Sequence, residues 1–210
     1  DYICCHTSVK DAFIREVKKQ IQLQFGAHPL ENPNYGKIIN KKHFDRICTL
    51  IDEHKVIYGG HTNTELIRIE PTVMDPVTYD DPVMQEEIFG PVMPILTYDS
   101  LDKLIHKINS MPHPLALYFF TRNKTAARKI TSQCQFGGGC INDTVIHLAT
   151  SEMPFGGFGE SGMGGYHGKE GFYTFSHSKS IVDKKTWLDL PMRYQPYTKF
   201  NNKLLRFFLR

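Results

Sequence analysis

The sequence has no apolar run approaching the roughly 18 residues that a membrane-spanning helix needs, so no membrane span is predicted. It also has no Cys-x-x-Cys pair. Its five cysteines, Cys4, Cys5, Cys48, Cys134 and Cys140, are odd in number and scattered. That pattern argues against a metal site or a disulfide framework and predicts a reducing, cytoplasmic setting. Neither sign of charge dominates. With 25 basic and 22 acidic residues and a net charge of +3, nothing points to a nucleic-acid partner. The residues carry no secretory-signal pattern, no internal repeat and no low-complexity tract. One local lack stands out. No acidic residue follows Asp189, whereas Arg193, Lys199, Lys203, Arg206 and Arg210 are all basic.

What is present suits a sizeable core: 40% of residues are hydrophobic and 12% aromatic, over 210 residues. A chain of that length buries roughly 70% of its unfolded surface. The first residue is Asp1, followed at once by the strand-like Tyr2-Ile3-Cys4-Cys5. This opening inside a core strand leads us to expect chain upstream of Asp1. Thr7 or Ser8 is placed to cap a helix running to Phe25, with Gly26 as its stop, and Val9, Phe13, Val17 and Ile21 mark one apolar face. Asn32 to Gly36 reads as a loop. Asn40 is placed to cap a second helix with Phe44, Ile47, Leu50 and Ile51 inward. Val56-Ile57-Tyr58 predicts a strand, with a turn at Gly59-Gly60. Leu66–Ile69 and Thr72–Met74 predict strands interrupted at Pro71. Val92–Thr97 is a further strand, and Pro94 suggests an edge or a bulge in it. Ser100 caps a helix carrying Leu101, Leu104, Ile105 and Ile108. Ala116 to Phe120 is a buried strand, Asn123 caps a helix through Ile130, and Gly139–Asn142 is another strand. This alternation predicts an α/β fold with a mainly parallel sheet covered by helices on both faces. Ser180–Asp183 is expected as a late, exposed strand that pairs with another subunit.

Two segments carry chemistry. In Gln85-Glu86-Glu87-Ile88-Phe89-Gly90-Pro91, a loop carboxylate can accept hydrogen bonds from both hydroxyls of a ribose, and a ring two residues on can pack against a nicotinamide. Gly90 permits close approach and Pro91 fixes the exit. A solvated acidic helix end with one core phenylalanine is the plainer reading of the same residues. Gly157-Phe158-Gly159-Glu160-Ser161-Gly162 matches G-x-G-x-x-G literally, but Ser151-Glu152-Met153-Pro154 before it is poor strand material, so a Rossmann fingerprint is rejected.

Taken together, Glu86-Glu87-Ile88-Phe89-Gly90-Pro91 and Pro154-Phe155-Gly156-Gly157 resemble signatures of the aldehyde dehydrogenase superfamily. The continuation Ser161-Gly162-Met163-Gly164-Gly165-Tyr166-His167-Gly168-Lys169 resembles its class 3 branch, whose members include enzymes acting on aromatic and medium-to-long aliphatic aldehydes. The resemblance covers essentially the whole chain, including Pro114 to Tyr118 and Phe175-Ser176-His177. It implies that Glu87 holds the ribose of NAD or NADP and that Phe89 contacts the nicotinamide. It implies that Phe155 lies by the aldehyde pocket. Asn142, in Gly-Gly-Cys-Ile-Asn-Asp, matches a family asparagine near the site, and Leu148 and Ala149 are candidates to line the pocket. Phe155 also reads as a core anchor. His167 reads either as a pocket residue or proton relay, or as a residue bonded to backbone. The resemblance further implies a homodimer, with residues 1–178 as the catalytic-domain portion and 179–210 as a C-terminal strand and tail used in oligomer contacts.

The family's chemistry needs a cysteine thiolate to attack the aldehyde, a hydride transfer to the nicotinamide and hydrolysis of the resulting thioester. By the resemblance, the nucleophilic cysteine, the general-base glutamate and the oxyanion-hole asparagine all lie upstream of Asp1. The 210 residues therefore supply none of these catalytic groups and are expected to be inactive alone. Cys4 and Cys5, in an apolar strand opening, read as structural rather than as substitutes. Two other readings stay open. One is a non-catalytic relative that keeps the fold for binding or assembly. The other takes the basic, aromatic tail from Arg193 to Arg210 as a membrane-surface or nucleic-acid element. Against the latter, Leu204, Leu205, Phe207, Phe208 and Leu209 are too crowded for a clean amphipathic stripe, which favours packing on a dimer.

Overall fold

In a computed structural model, residues 1–196 and 198–209 are described. Arg210, the last residue of the basic tail, lies outside them. The chain divides into two compact units: Asp1–Ala149 with Phe155–Gly164, and Thr150–Pro154 with the residues from Gly165 on.

The first unit is built on a four-stranded sheet. Its strands are β1 (Ile3–His6), β2 (Val56–Tyr58), β5 (Thr72–Met74) and β6 (Val92–Tyr98), in the order β1-β6-β5-β2. β1 and β5 both run parallel to β6, and β2 runs antiparallel to β5. A short hairpin of β3 (Thr62–Asn63) and β4 (Arg68–Ile69) stands apart, as does a parallel pair, β7 (Ala116–Phe119) with β8 (Gly138–Ile141). The helices of this unit are α1 (Lys10–Phe25), α2 (Lys41–Leu50), α3 (Leu101–Asn109) and α4 (Lys124–Gln133).

Strand register explains why both faces of the sheet are covered. Ile3 stands opposite Ile95, Cys5 opposite Thr97 and Val73 opposite Met93. Alternation puts these residues on one face. There Cys5, Val73 and Ile95 pack under Phe13, Ile14, Val17 and Ile21 of α1. The opposite face presents Met74, Val92 and Leu96 to Phe44, Ile47 and Leu50 of α2. A third cluster joins Leu104, Ile105 and Ile108 of α3 to Ile130 and Cys134. The architecture is therefore α/β, with a mainly parallel sheet and helices on both faces, as expected.

Several local expectations are corrected. Neither Thr7 nor Ser8 caps α1. His6 instead caps a preceding 3-10 turn, Thr7–Val9, its Nδ1 accepting from the Ser8 N–H, and α1 starts after Val9 with no side-chain cap. The Thr7 hydroxyl donates instead to Asp99. Val9 therefore precedes α1 and is 52% exposed, off the apolar face. The strand expected at Leu66 shrinks to Arg68–Ile69, because Ile67 takes a left-handed φ of 47°. Pro94 marks neither an edge nor a bulge, since β6 is an inner strand. The proline sits opposite Met74, one residue before pairing with β1 begins at Ile95, so its missing N–H falls at a step in the ladder. β7 is half-buried and stops at Phe119, with Phe120 exposed; among the described residues its strand partner is β8 alone. β8 itself ends at Ile141.

The second unit holds α5 (Gly168–Thr174), a 3-10 turn at Pro191–Arg193 and α6 (Lys199–Phe208). Residues 180–183 form no strand. Ile181 and Val182 are exposed, and no strand of this chain pairs with them among the described residues. The crowding argument about the tail is corrected too. In α6, Phe200, Leu204 and Phe208 recur every four residues, opposite Lys199, Lys203 and Arg206, which is an amphipathic arrangement. Among the described residues, no helix is long and apolar enough to cross a membrane.

Candidate functional site

The Glu87 loop follows a 3-10 turn at Pro82–Met84. Its entry is pinned by Asp81, whose carboxylate accepts from the Thr78 N–H at 2.9 Å, the Thr78 hydroxyl at 3.0 Å and Lys55 at 2.6 Å. The Lys55 ammonium leads the causes that hold the Asp81 carboxyl below its usual range. Beyond the turn, Ile88 is buried to 1% exposure in the α2 cluster. Arg46 of α2 donates to the Glu87 carbonyl at 3.2 Å and to the Ile88 carbonyl at 2.6 Å, and it pairs with Glu86 at 3.1 Å. The Phe89 N–H donates to the Asp1 carboxylate at 3.1 Å. Gly90 lies so close to α2 that a Cβ would stand 2.7 Å from Ile47 Cδ1.

This clasp orders the two apolar side chains of the loop. The core residue is Ile88, not Phe89. Phe89 takes φ 51° and its ring is 80% exposed. A bulky residue in the left-handed region is strained by about 1–3 kcal/mol, and that strain persists only where the surroundings hold it. Here Arg46, Asp1 and buried Ile88 do so. Glu87 is exposed beside it, and its carboxylate makes no hydrogen bond among the described residues. A dinucleotide asks this wall for a carboxylate acceptor and an open aromatic surface, and the two residues fit that demand.

The other expected residues lie elsewhere. Asn142, at φ 60°, follows the last residue of β8. Its side chain accepts from the Thr121 N–H at 2.7 Å and donates to the Thr121 carbonyl at 2.9 Å, clamping the exit of β7 to the exit of β8. Leu148 and Ala149 come together in the wall of an open depression of about 370 Å³, with Asp143, Thr144, Val145 and Ile146. Phe155 is half-buried, with its ring centroid 5.9 Å from that of His147. His167 belongs to the second unit, where its Nδ1 lies 3.3 Å from the Met153 carbonyl, a backbone bond of the kind the plainer reading expects.

In the glycine loop, the Ser161 hydroxyl accepts from the Phe158 N–H at 3.2 Å and donates to the Phe158 carbonyl at 3.0 Å. Hydrogen bonds from its own N–H and from the backbone and ring of His113 hold the Glu160 carboxyl below the usual range. No strand of the described residues leads into this loop, in keeping with the rejected Rossmann fingerprint. Burial pushes the Cys4 and Cys5 thiols up, which works against thiolate formation.

Sequence reasoning missed Arg46, Asp1 and His147. Arg46 is one more cation on a polar helix face, and only the fold turns it towards the loop carbonyls. His147 is a lone histidine between apolar neighbours. No local pattern distinguishes it.

Comparison with known proteins shows the family. The family model for the aldehyde dehydrogenase family matches residues 1–181. A 4,4'-diaponeurosporen-aldehyde dehydrogenase of Staphylococcus aureus (strain NCTC 8325 / PS 47) is 46% identical over 199 residues, covering 94% of this chain and 43% of that protein. The mouse "aldehyde dehydrogenase, dimeric NADP-preferring" is 44% identical over 182 residues, covering 87% of this chain and 40% of its own length. The solved substrate-bound state of Staphylococcus aureus AldH superposes with a TM-score of 0.87 at 44% identity, covering 100% of this chain and 46% of that one. An indole-3-acetaldehyde dehydrogenase complexed with NAD+ gives a TM-score of 0.75 at 26% identity, over 86% of this chain and 38% of its own. The chain belongs to the aldehyde dehydrogenase family and is class 3-like. It spans 43% and 40% of the length of these two curated relatives.

Proposed function

We propose that these residues are the C-terminal catalytic-domain portion of an NAD(P)-dependent aldehyde dehydrogenase that oxidises an aldehyde to a carboxylic acid. The observation that carries this is Phe89: a strained, outward-facing ring, two residues from an exposed carboxylate, on a loop clasped from behind by Arg46. Glu87 accepts the ribose hydroxyls and Phe89 forms the surface that excludes water beside the nicotinamide. When bound, the dinucleotide supplies the hydride acceptor. Val145, Leu148 and Phe155 wall the aldehyde. The nucleophilic cysteine and the general base come from outside these residues, so residues 1–210 alone turn over no aldehyde.

A relative of this chain is named dimeric and NADP-preferring, and a structural neighbour was solved with NAD+. These support a homodimer using NAD or NADP. The five free cysteines accord with a reducing, cytoplasmic setting. The test uses a chain of the relatives' length containing these residues, called the full-length protein below. Mixed with dinucleotide and an aromatic or medium-chain aldehyde, it is expected to give a burst of NAD(P)H. No NAD(P)H with any aldehyde of either class would favour the non-catalytic relative. Turnover by a preparation shown by intact mass to hold only residues 1–210 would sink the claim that the nucleophile lies elsewhere.

A further inference from the structure

His147 is 6% exposed and is the one buried residue of the 3-10 turn Ile146–Leu148. Its Nδ1 stands 3.5 Å from Cys140 Sγ on β8, and its ring centroid is 5.8 Å from that of Tyr118 on β7 and 5.9 Å from that of Phe155. Nε2 is buried without a hydrogen-bond partner among the described residues. An apolar ring would fill the same space without leaving a polar atom unpaired.

The strand beneath it opens on two glycines, Gly138 and Gly139, preceded by Gly137. A Cβ on Gly138 would stand 3.0 Å from His147 Cδ2 and 3.2 Å from Nε2. A Cβ on Gly137 would stand 2.4 Å from the Gly156 carbonyl oxygen and 3.0 Å from Gly157 Cα. Gly138, at the start of β8, is thus a bare seat for the His147 ring, and Gly137 just before it for the Gly156-Gly157 backbone that follows Phe155. Two residues before His147, Val145 takes φ 64°, a strained conformation for a β-branched residue. Val145 and Leu148, on either side of the seated ring, line the open depression.

We propose that His147, seated on Gly138, is a positioning residue that fixes the wall formed by Val145, Leu148 and Phe155 and so sets which aldehydes the enzyme accepts. This rests on the proposed function, in which that wall faces the aldehyde. His147 acts by holding the wall in place, and it exchanges no proton with the substrate.

The test is steady-state kinetics of the full-length protein with benzaldehyde and with propanal. His147→Ala is expected to raise KM for benzaldehyde about tenfold, the scale of a reshaped apolar pocket. Its kcat, its KM for dinucleotide and its KM for propanal stay within about twofold. His147→Phe, which keeps a ring on the seat, restores most of the benzaldehyde KM. Gly138→Ala shifts the ring without removing it and reproduces part of the loss, which covers the case in which His147→Ala does not fold. Equal loss of kcat/KM for both aldehydes, no loss for either, or no rescue by His147→Phe overturns the positioning role. Wild-type protein that yields no NAD(P)H with any aromatic or medium-chain aldehyde overturns the proposed function itself, and the wall assignment with it.

Discussion

The Glu87 loop and the β8 seat hold the proposed site residues by opposite means. Behind Glu87 and Phe89 the chain adds groups: Arg46 supplies two hydrogen bonds to loop carbonyls, Asp1 takes the Phe89 N–H, and Ile88 plugs the core. At β8 it removes them, and Gly137, Gly138 and Gly139 let carbonyls and a histidine ring approach the bare backbone. The first arrangement leaves an exposed carboxylate and ring on a rigid base. The second brings two separate stretches of chain to one strand. A clasp of charged donors fails by degrees when trimmed, whereas a seat made by missing Cβ atoms fails on the smallest addition.

The largest expected effect breaks the seat. A Cβ on Gly139 would lie 1.9 Å from the Leu117 carbonyl oxygen, and backbone cannot swing aside as a side chain can. Gly139→Ala should destabilise the full-length protein by about 3 kcal/mol, read as a lower urea midpoint. A shift under about 0.5 kcal/mol, the size of an ordinary surface substitution, would show that the seat is not tight. The clasp should yield less. Arg46→Met, which keeps the aliphatic stem, should cost about 2 kcal/mol for its charge-assisted hydrogen bonds. Arg46→Lys should not rescue it, because the two carbonyls use both arms of the guanidinium.

Glu87→Gln sharpens the functional half of the comparison. It should slow single-turnover hydride transfer about tenfold, roughly 1.4 kcal/mol of transition-state stabilisation, and change dinucleotide affinity less than that. Unchanged hydride transfer would remove Glu87 from the site. Acid should loosen the clasp's entry. Asp81 has a folded pKa below its unfolded value, so its contribution is fully present above the unfolded aspartate pKa of about 4 and fades as pH falls through the lower folded value. In urea titrations, the stability gap between wild type and Asp81→Asn should therefore narrow as pH drops below about 4. A gap that is constant with pH would show that the Lys55 bond contributes nothing. The smallest effect belongs to Glu86, whose half-exposed pair with Arg46 is worth under about 1 kcal/mol. Glu86→Gln should leave hydride transfer unchanged, in contrast to its neighbour.

Local chemistry was legible where it is self-contained. Asn40, Ser100 and Asn123 cap their helices as expected, because a side-chain oxygen within reach of the next N–H groups needs no help from the fold. The cap at Thr7 or Ser8 failed for a tertiary reason: Asp99, just past the end of the neighbouring strand β6, takes the Thr7 hydroxyl. Pro94 was misplaced because an edge and a step between two ladders leave the same missing N–H. The late strand at 180–183 failed because β propensity does not supply a partner. Glu87 and Phe89 could be named from their motif, but the motif does not say which of Ile88 and Phe89 is buried.

By itself, then, the sequence determined the family and the α/β alternation, since these are written in contiguous residues and short periods, and it marked Glu87 and Phe89 as candidates. The tertiary structure alone decided that Ile88 goes in and Phe89 out, that Arg46 closes the clasp, and that His147 lies on Gly138. Each of those depends on atoms from distant stretches of chain meeting at a few ångströms, and such a meeting leaves no periodic trace in any one segment.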